Sequence, residues 1–305
     1  MDAVESVQRD SELPKQRLSE SVDVDDTPTW VVYTPESPLR HPLRLLRHMI
    51  RDIVSGRELA WRLFVRNVKA QYRQSVLGYA WAFLPPVVTT GVFVFLRSQK
   101  VLNFDAPGNY TVYLLVGIVL WQTFVESLNA PLRMVSGSRA MLAKVNFPRE
   151  ALLVTAFSEV VFNLAIRLIL IVAVFIWFQP GLPPTLLLAP LGILALIGLG
   201  MSIGILLVPL GLLYTDVGRG MGLISGFWMF LTPVLYQPPQ TWPGNLVLWL
   251  NPVSPVLSVC RDWMLLGNTL YFTGFLVVTA VSLLFLLPLG LVMYRLAMPI
   301  LIERM

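Results

Sequence analysis

Six long apolar segments limit this chain to a fold that crosses a membrane. An α-helix needs about 20 mainly apolar residues to span a bilayer. The segments lie near Leu77 to Leu96, Tyr110 to Ser127, Ala151 to Phe178, Thr185 to Tyr214, Met221 to Tyr236 and Phe272 to Tyr294. Hydrophobic residues make up 55% of the 305-residue chain and charged residues only 13%. The sequence therefore predicts an all-α integral membrane protein, with six transmembrane helices in residues 77–305.

A basic amphipathic stretch leads into the first apolar segment. Its cations recur at i, i+4, i+7 and i+11, which places them on one stripe of a helix; they are Arg62, Arg66, Lys69 and Arg73. Trp61 begins an apolar stripe with the same spacing. We expect residues 40–76 to form interfacial helices, broken at Ser55 and Gly56, with the cations among anionic lipid headgroups. An amphipathic helix packed on a protein core would show the same pattern.

The distribution of basic residues predicts the orientation. Nineteen of the 23 Lys and Arg residues lie in the N-terminal region, the 128–150 connection, the 215–220 turn and the C-terminal tail. Cytoplasmic loops carry such an excess, so we expect both termini on the cytoplasmic side of the inner membrane. Residues 1–39 are acidic and are predicted to form a disordered cytoplasmic tail. One cysteine and two histidines argue against a metal site, and no nucleic-acid partner is predicted.

Polar residues inside the apolar segments are candidates for function. Glu159, Asn163 and Arg167 share one face of the third segment, and charges at that depth should face protein or water. This face either forms a structural ion pair bridged by Asn163 or lies beside a transport pathway. Six aromatic residues are membrane anchors or pore-lining candidates, namely Trp81, Phe93, Trp121, Phe124, Trp228 and Phe230. Gly200 and Gly204 suit close helix packing, within the chain or between copies.

The connection from Gln237 to Tyr271 is too apolar for a solvated loop. Its prolines divide it into pieces too short to span a membrane. Such backbone is tolerated at membrane depth only where it is buried in protein or lines a cavity, so we expect short re-entrant helices beside a pathway. Arg261 and Asp262 are the charges of this segment. Adjacent helical side chains point about 100° apart, so at least one of these two must find another partner or reach water.

Four stretches, taken in order, carry a resemblance to a known family. They are LGYAWAFLPP at 77–86, SRAMLAKVNFPRE at 138–150, YTDVGRGMGLISGFWMFLTPVLY at 214–236 and NPVSPVLSVCRDWMLL at 251–266. From Arg57 onward the chain resembles the permease subunits of type-2 ABC exporters that move polysaccharides, such as O-antigen, capsule and teichoic-acid exporters. It departs from the family pattern at Thr215, where members usually carry Arg, and at Leu153, where a proline is common.

The resemblance implies a type-2 ABC exporter fold and a channel-forming subunit that is not an enzyme by itself and has no catalytic residues. The sequence contains no G-x-x-x-x-G-K-[ST] phosphate-binding loop, so ATP and Mg would be bound by a separate ATPase. The family pattern implies that two copies of this chain, embedded in membrane lipid, assemble with two ATPase subunits. The implied substrate is a lipid-linked, O-antigen-like polysaccharide.

The resemblance also implies roles for particular residues. A cytoplasmic coupling helix near 136–149 would contact the ATPase through Leu142, Lys144, Phe147 and Arg149, unless the segment is an ordinary basic loop. The segment 237–271 would form an outer gate containing Trp249, Asn251, Arg261 and Trp263, unless it is a cap that does not move. Trp61 and the cationic stripe of residues 62–73 would lie at the entrance for the lipid-linked substrate.

Three other classes of function need different features. A type-2 ABC permease for small molecules, such as drugs or lipids, shares the six-span plan and is the main alternative. A membrane glycosyltransferase or acyltransferase would need a cluster of acids or a histidine at one membrane face, and Glu126, Glu150 and Asp216 do not suggest one. A secondary transporter should show an internal repeat, and none is detected in the sequence.

Overall fold

The computed structural model describes residues 51–73, 78–102, 106–145, 147–239, 241–242, 248, 250–267 and 270–303, and within them the fold is all-helical. The helices are α1 Arg57–Arg73, α2 Leu84–Ser98, α3 Tyr110–Gly137, α4 Arg139–Leu142, α5 Glu150–Phe178, α6 Ala189–Leu213, α7 Thr215–Leu231, α8 Val253–Leu265, α9 Phe272–Val281 and α10 Leu287–Glu303. The 3-10 segments Gly78–Ala82 and Pro184–Leu188 precede α2 and α6, and the π-helical turn Ser282–Leu286 connects α9 with α10. The predicted tail 1–39 lies outside the described residues.

Five described helical stretches are long and apolar enough to cross a membrane. They are Ala80–Ser98, Tyr110–Gly137, Glu150–Phe178, Pro184–Leu213 and Phe272–Leu301, and each overlaps a predicted crossing. The other predicted crossing, Met221 to Tyr236, falls on α7, whose 17 residues are fewer than the roughly 20 that span a bilayer. Helix α7 ends at Leu231, because Pro233 cannot continue a helix and disfavours helical geometry in the residue before it. A sixth crossing stays a prediction.

Helix α3 lies at the centre of the fold and packs closely against α6. A Cβ atom added to Gly200 would lie 2.7 Å from Ser127 Cβ, and one added to Gly204 would collide with the carbonyl of Leu128. Only glycine allows the two backbones to approach this closely. The G-x-x-x-G motif therefore packs within the chain.

Helix α3 continues ten residues beyond the predicted end at Ser127. Its last turns bury Leu128, Ala130, Met134 and Val135, so the apolar pattern persists although polar residues interrupt it. Pro131 is tolerated inside the helix. The extension places the polar residues at 129 and 133 on a rigid helix instead of a loop.

Helix α1 lies along α5 and is partly held by protein contacts. Ala60 and Leu63 are buried, and Thr155 Oγ1 donates a hydrogen bond to the carbonyl of Ala60 at 3.2 Å. Leu63 lies off the predicted apolar stripe that begins at Trp61, whereas Trp61 itself is 63% exposed. The buried face of α1 is therefore shifted relative to the predicted stripe, in which Val65 and Val68 are half-buried. The four cations of the basic stripe are all exposed, as an interfacial helix requires.

The apolar outer connection contains helix α8, which is almost entirely buried in the protein. It packs against α6, α3 and α9. Cys260 lies against Gly192 of α6, where an added Cβ would approach within 3.0 Å of it. Burial in protein is one of the two conditions under which such a segment can lie at membrane depth.

Candidate functional site

A buried ion pair connects the middle parts of α3 and α5. Arg167 Nη1 lies 2.8 Å from Glu126 Oε2, and these side chains are only 14% and 9% exposed. Asn163 Nδ2 donates a hydrogen bond to Glu126 Oε1. The predicted pairing of Arg167 with Glu159 through Asn163 is wrong, because the neighbouring helix supplies a carboxylate closer to the guanidinium.

Glu159 has its own partners, one turn or more away from that pair. Asn67 Nδ2 of α1 donates a hydrogen bond to Glu159 Oε1 at 2.9 Å, and Arg133 Nη2 of α3 lies 3.6 Å from Glu159 Oε2. The two carboxylates and their partners form a polar cluster, defined as Asn67, Glu126, Arg133, Glu159, Asn163 and Arg167. It extends about 12 Å along α5, since Glu159 and Arg167 are eight residues apart.

The polar cluster borders a cavity of about 750 Å³ between the membrane helices. This polar cavity is lined from α3 by Gln122, Glu126, Asn129 and Arg133, from α5 by Asn163 and Arg167, and by Gln71, Trp81, Thr89, Trp121, Ser225 and Met229 among others. Its size falls within the range of about 300–1,000 Å³ that is typical of ligand sites. Of the three polar residues predicted on α5, Asn163 and Arg167 therefore line a cavity and Glu159 does not. The cavity also contains α3 residues that were predicted to lie in a connection or were not assigned a role.

The six aromatic candidates occupy different environments. Trp81, which is 53% exposed, and Trp121 line the polar cavity. Phe124 is fully buried between Trp121 and Trp228, with ring centroids 5.4 Å from each, so it does not line this cavity. Phe93 and Trp228 are partly buried against the core, and Phe230 is exposed.

Arg261 is the fully buried charge of the predicted gate. Its guanidinium lies 3.8 Å from the centre of the Tyr113 ring, and Nη1 donates to the carbonyls of Pro233 and Val234 at 2.8 and 3.2 Å. Gly117 makes room for this arrangement, because an added Cβ would lie 2.7 Å from the carbonyl oxygen of Val234. Arg261 thus finds partners other than Asp262, which is one of the outcomes that the helical geometry allowed. It joins α8, α3 and the turn after α7.

Asn251 forms a second junction between α7 and the start of α8. Its Oδ1 accepts hydrogen bonds from Trp228 Nε1 at 3.0 Å and from the backbone N–H of Val253 at 3.1 Å. Its Nδ2 donates to Thr232 Oγ1 at 2.8 Å. Trp263 is buried against Phe272 and Phe275, and Trp249 lies outside the described residues.

The predicted coupling segment 136–149 contains one short helix, α4. Leu142 at its end is buried, which argues against this residue as a contact for a partner. Lys144 is exposed, whereas Phe147 and Arg149 are partly buried and Phe147 packs against the core. Of the four predicted contacts, Lys144 is the fully exposed one, in the exposed stretch of residues 143–145.

A second ionic junction, which the sequence reading missed, adjoins the end of this segment. Arg295 of α10 lies 2.9 Å from Asp52 and 3.4 Å from Glu150, and Tyr294 donates a hydrogen bond to the carbonyl of Arg149 at 3.0 Å. In the sequence, Arg295 counts only as one of the basic residues of the C-terminal tail that predict the orientation. Glu150 could have pointed to this junction, because an acid in the first turn of a helix commonly has a specific partner or complements the helix dipole.

Comparison with known proteins identifies the family. The ABC-2 type transporter family matches residues 58–265, and this chain belongs to that family. The O-antigen export system permease protein RfbA of Myxococcus xanthus is 29% identical over 220 residues, which cover 69% of this chain and 81% of the relative. RfbA of Klebsiella pneumoniae is 26% identical over 232 residues, covering 72% and 86% of the two chains.

A relative named for polysialic acid transport is also similar. The polysialic acid transport protein KpsM of Escherichia coli is 22% identical over 217 residues, covering 67% of this chain and 80% of the relative. The family resemblance inferred from the four sequence stretches is therefore confirmed. The chain is a membrane permease of the ABC-2 type, with homologues named for export of O-antigen and transport of polysialic acid.

Proposed function

We propose that this chain is the membrane subunit of an ATP-driven exporter that moves a lipid-linked, O-antigen-like polysaccharide across the inner membrane. The observation that carries this proposal is the polar cavity, whose paired charges and carboxamides lie among helices that are otherwise apolar. Polar groups at membrane depth are costly, and where they are retained they usually mark a transport pathway. Relatives named for polysaccharide export support this choice over permeases for small molecules such as drugs.

The assembly that this function needs follows the family pattern. Two copies of the chain would pair, each with six crossings and both termini in the cytoplasm, and two separate ATPase subunits would bind ATP and Mg. Helix α1 would lie at the cytoplasmic interface near the entrance for the lipid-linked substrate, since its cations are exposed. Helix α8, joined to α7 through Asn251 and Arg261, would form the outer gate.

Deleting the gene in its native host is expected to remove the corresponding polysaccharide from the cell surface. The lipid-linked polymer should accumulate inside the cell, because its synthesis continues without an exit. Surface staining of the glycan and extraction of the intracellular lipid-linked pool measure the two effects, and a plasmid copy of the gene should reverse both. An unchanged surface glycan, together with new sensitivity to small toxic compounds, would favour the small-molecule alternative.

Reversing the charge of Lys144 is expected to weaken coupling to the ATPase. Lys144 is exposed between α4 and α5, where a coupling segment would meet a cytoplasmic partner. The variant Lys144→Glu should lower substrate-stimulated ATP hydrolysis by the purified transporter, while the amount of assembled complex stays the same. Lys100→Glu is the matched control, because Lys100 is exposed in the connection between α2 and α3, at the end of α3 opposite to α4. Equal hydrolysis by the two variants would contradict a coupling role for this segment.

A further inference from the structure

We propose that the polar cavity binds an uncharged sugar unit of the exported polymer and does not hold the phosphate-bearing headgroup of its lipid carrier. This inference rests on the proposed function and deepens it. It follows from the charge balance of the cavity, from the kinds of polar groups that line it and from the exposure of one indole ring.

The charges around the cavity neutralise one another within the protein. Glu126 is paired with Arg167 at 2.8 Å, and Arg133 lies 3.6 Å from Glu159. Two carboxylates thus balance two guanidinium groups. Arg133 is 56% exposed, whereas Arg167 is only 14% exposed. A phosphate or diphosphate group that bound Arg167 would have to break its pair with Glu126, leaving a carboxylate without its cation in a poorly solvated place. The cavity is therefore better suited to a ligand without net charge.

The remaining polar lining groups match hydroxyl groups. Gln71, Gln122 and Asn129 carry carboxamides, which offer both hydrogen-bond donors and acceptors. Asn129 Nδ2 donates to the carbonyl of Val125 at 2.7 Å, and its side-chain oxygen is a further hydrogen-bond acceptor. Sugar hydroxyls donate and accept in the same way and need no charged partner. A purely apolar ligand would leave these amides unsatisfied.

Trp81 supplies an apolar surface on the wall of the same cavity. Its side chain is 53% exposed and belongs to the 3-10 segment Gly78–Ala82, which precedes α2. Indole faces are amphipathic contact surfaces that do not impose directional bonds. A ring face beside several carboxamides suits a sugar ring, which has an apolar face and a polar edge.

Three exposed cations that would suit the carrier phosphate lie outside the cavity. Arg66, Lys69 and Arg73 are exposed on α1, at the interface where lipid headgroups collect. None of the three lines the polar cavity. This arrangement separates a surface for the anionic headgroup from a cavity for the first sugar units.

Photocrosslinking in cells that make the polymer tests this inference. Trp81 is replaced by the photoreactive amino acid p-benzoylphenylalanine in the full transporter, and irradiated protein is examined for attached glycan with a carbohydrate stain and a phosphate assay. Trp177, which is 83% exposed near the end of α5 and does not line the cavity, receives the same replacement as a matched control. If the change at position 81 prevents export, Met229, another residue that lines the cavity, takes its place.

The adduct is first treated with mild acid, which cleaves the bond between the carrier phosphate and the sugar. An adduct at the cavity position that then keeps glycan without phosphate, is absent at position 177 and is lost when polymer synthesis is blocked is the expected result. An adduct that keeps phosphate and lipid after this cleavage but loses its sugar would overturn the inference in favour of a headgroup site. An actively exporting variant that captures nothing would overturn it as well. These outcomes are separate from the gene-deletion test, because a transporter that proves essential for surface glycan can still fail to capture sugar in this cavity.

Discussion

Replacing Arg261 with alanine is expected to cause a large loss of folded transporter. The substitution removes two hydrogen bonds to the carbonyls of Pro233 and Val234 and the contact with the Tyr113 ring. Each buried carbonyl left without a donor costs about 1–3 kcal/mol, and a desolvated cation–π contact contributes about 2 kcal/mol. We expect the free energy of unfolding to fall by about 3 kcal/mol or more, measured by thermal or denaturant unfolding in detergent.

Two further variants distinguish the loss of Arg261 from the loss of any cation–π pair. Arg97 also lies over a tyrosine ring, 4.0 Å from the centre of Tyr110, but it is only partly buried, so Arg97→Ala should have a much smaller effect. Arg261→Lys should fall between alanine and the native protein, because an ammonium keeps the charge but not the planar fork. Equal stability of the Arg97 and Arg261 alanine variants would contradict the role given to Arg261.

A change that leaves Arg261 in place should reproduce part of the defect. An alanine at Gly117 would place its Cβ 2.7 Å from the carbonyl of Val234 and 3.3 Å from Arg261 Nη1. Gly137 lies on the same helix with nothing within 4 Å of an added Cβ, so Gly137→Ala is the matched control. Only the Gly117 variant should lose stability, because only there does the new methyl group separate the turn from the guanidinium.

The bounds of the membrane helices were predictable where hydropathy alone determines them. The third and fourth predicted segments agree with α5 and with Pro184–Leu213 to within one residue at each end. The second segment was predicted ten residues too short, because Asn129 and Arg133 suggested a loop. In the folded chain these side chains have partners, the carbonyl of Val125 and the carboxylate of Glu159, so the helix can continue.

The partners in the polar cluster could not be predicted from local spacing. Helical periodicity correctly placed Glu159, Asn163 and Arg167 on one face of α5. It could not show that Glu126, 41 residues before Arg167, would lie opposite that face, because this depends on how α3 and α5 pack. The same holds for Asn67, which reaches Glu159 from α1 across 92 residues of sequence.

Replacing Glu126 with glutamine is expected to destabilise the membrane domain strongly. Arg167 would keep its charge in a place where its side chain is 14% exposed and would lose its carboxylate. Removing one partner of a buried pair typically costs about 3–5 kcal/mol, because the remaining charge stays desolvated. Asp216→Asn is the matched control, since the pair of Asp216 and Arg219 is 90% and 82% exposed and such surface pairs contribute about 0–1 kcal/mol.

The double variant Glu126→Gln, Arg167→Gln decides whether the two residues act as a pair. Once both charges are gone, no unpaired ion remains in the protein, so the double change should cost clearly less than the sum of the two single changes. We expect a coupling energy of about 2–3 kcal/mol from the unfolding free energies of the four proteins. Additive losses would mean that each residue is held by other groups, and the neutral charge balance on which the sugar site depends would no longer apply.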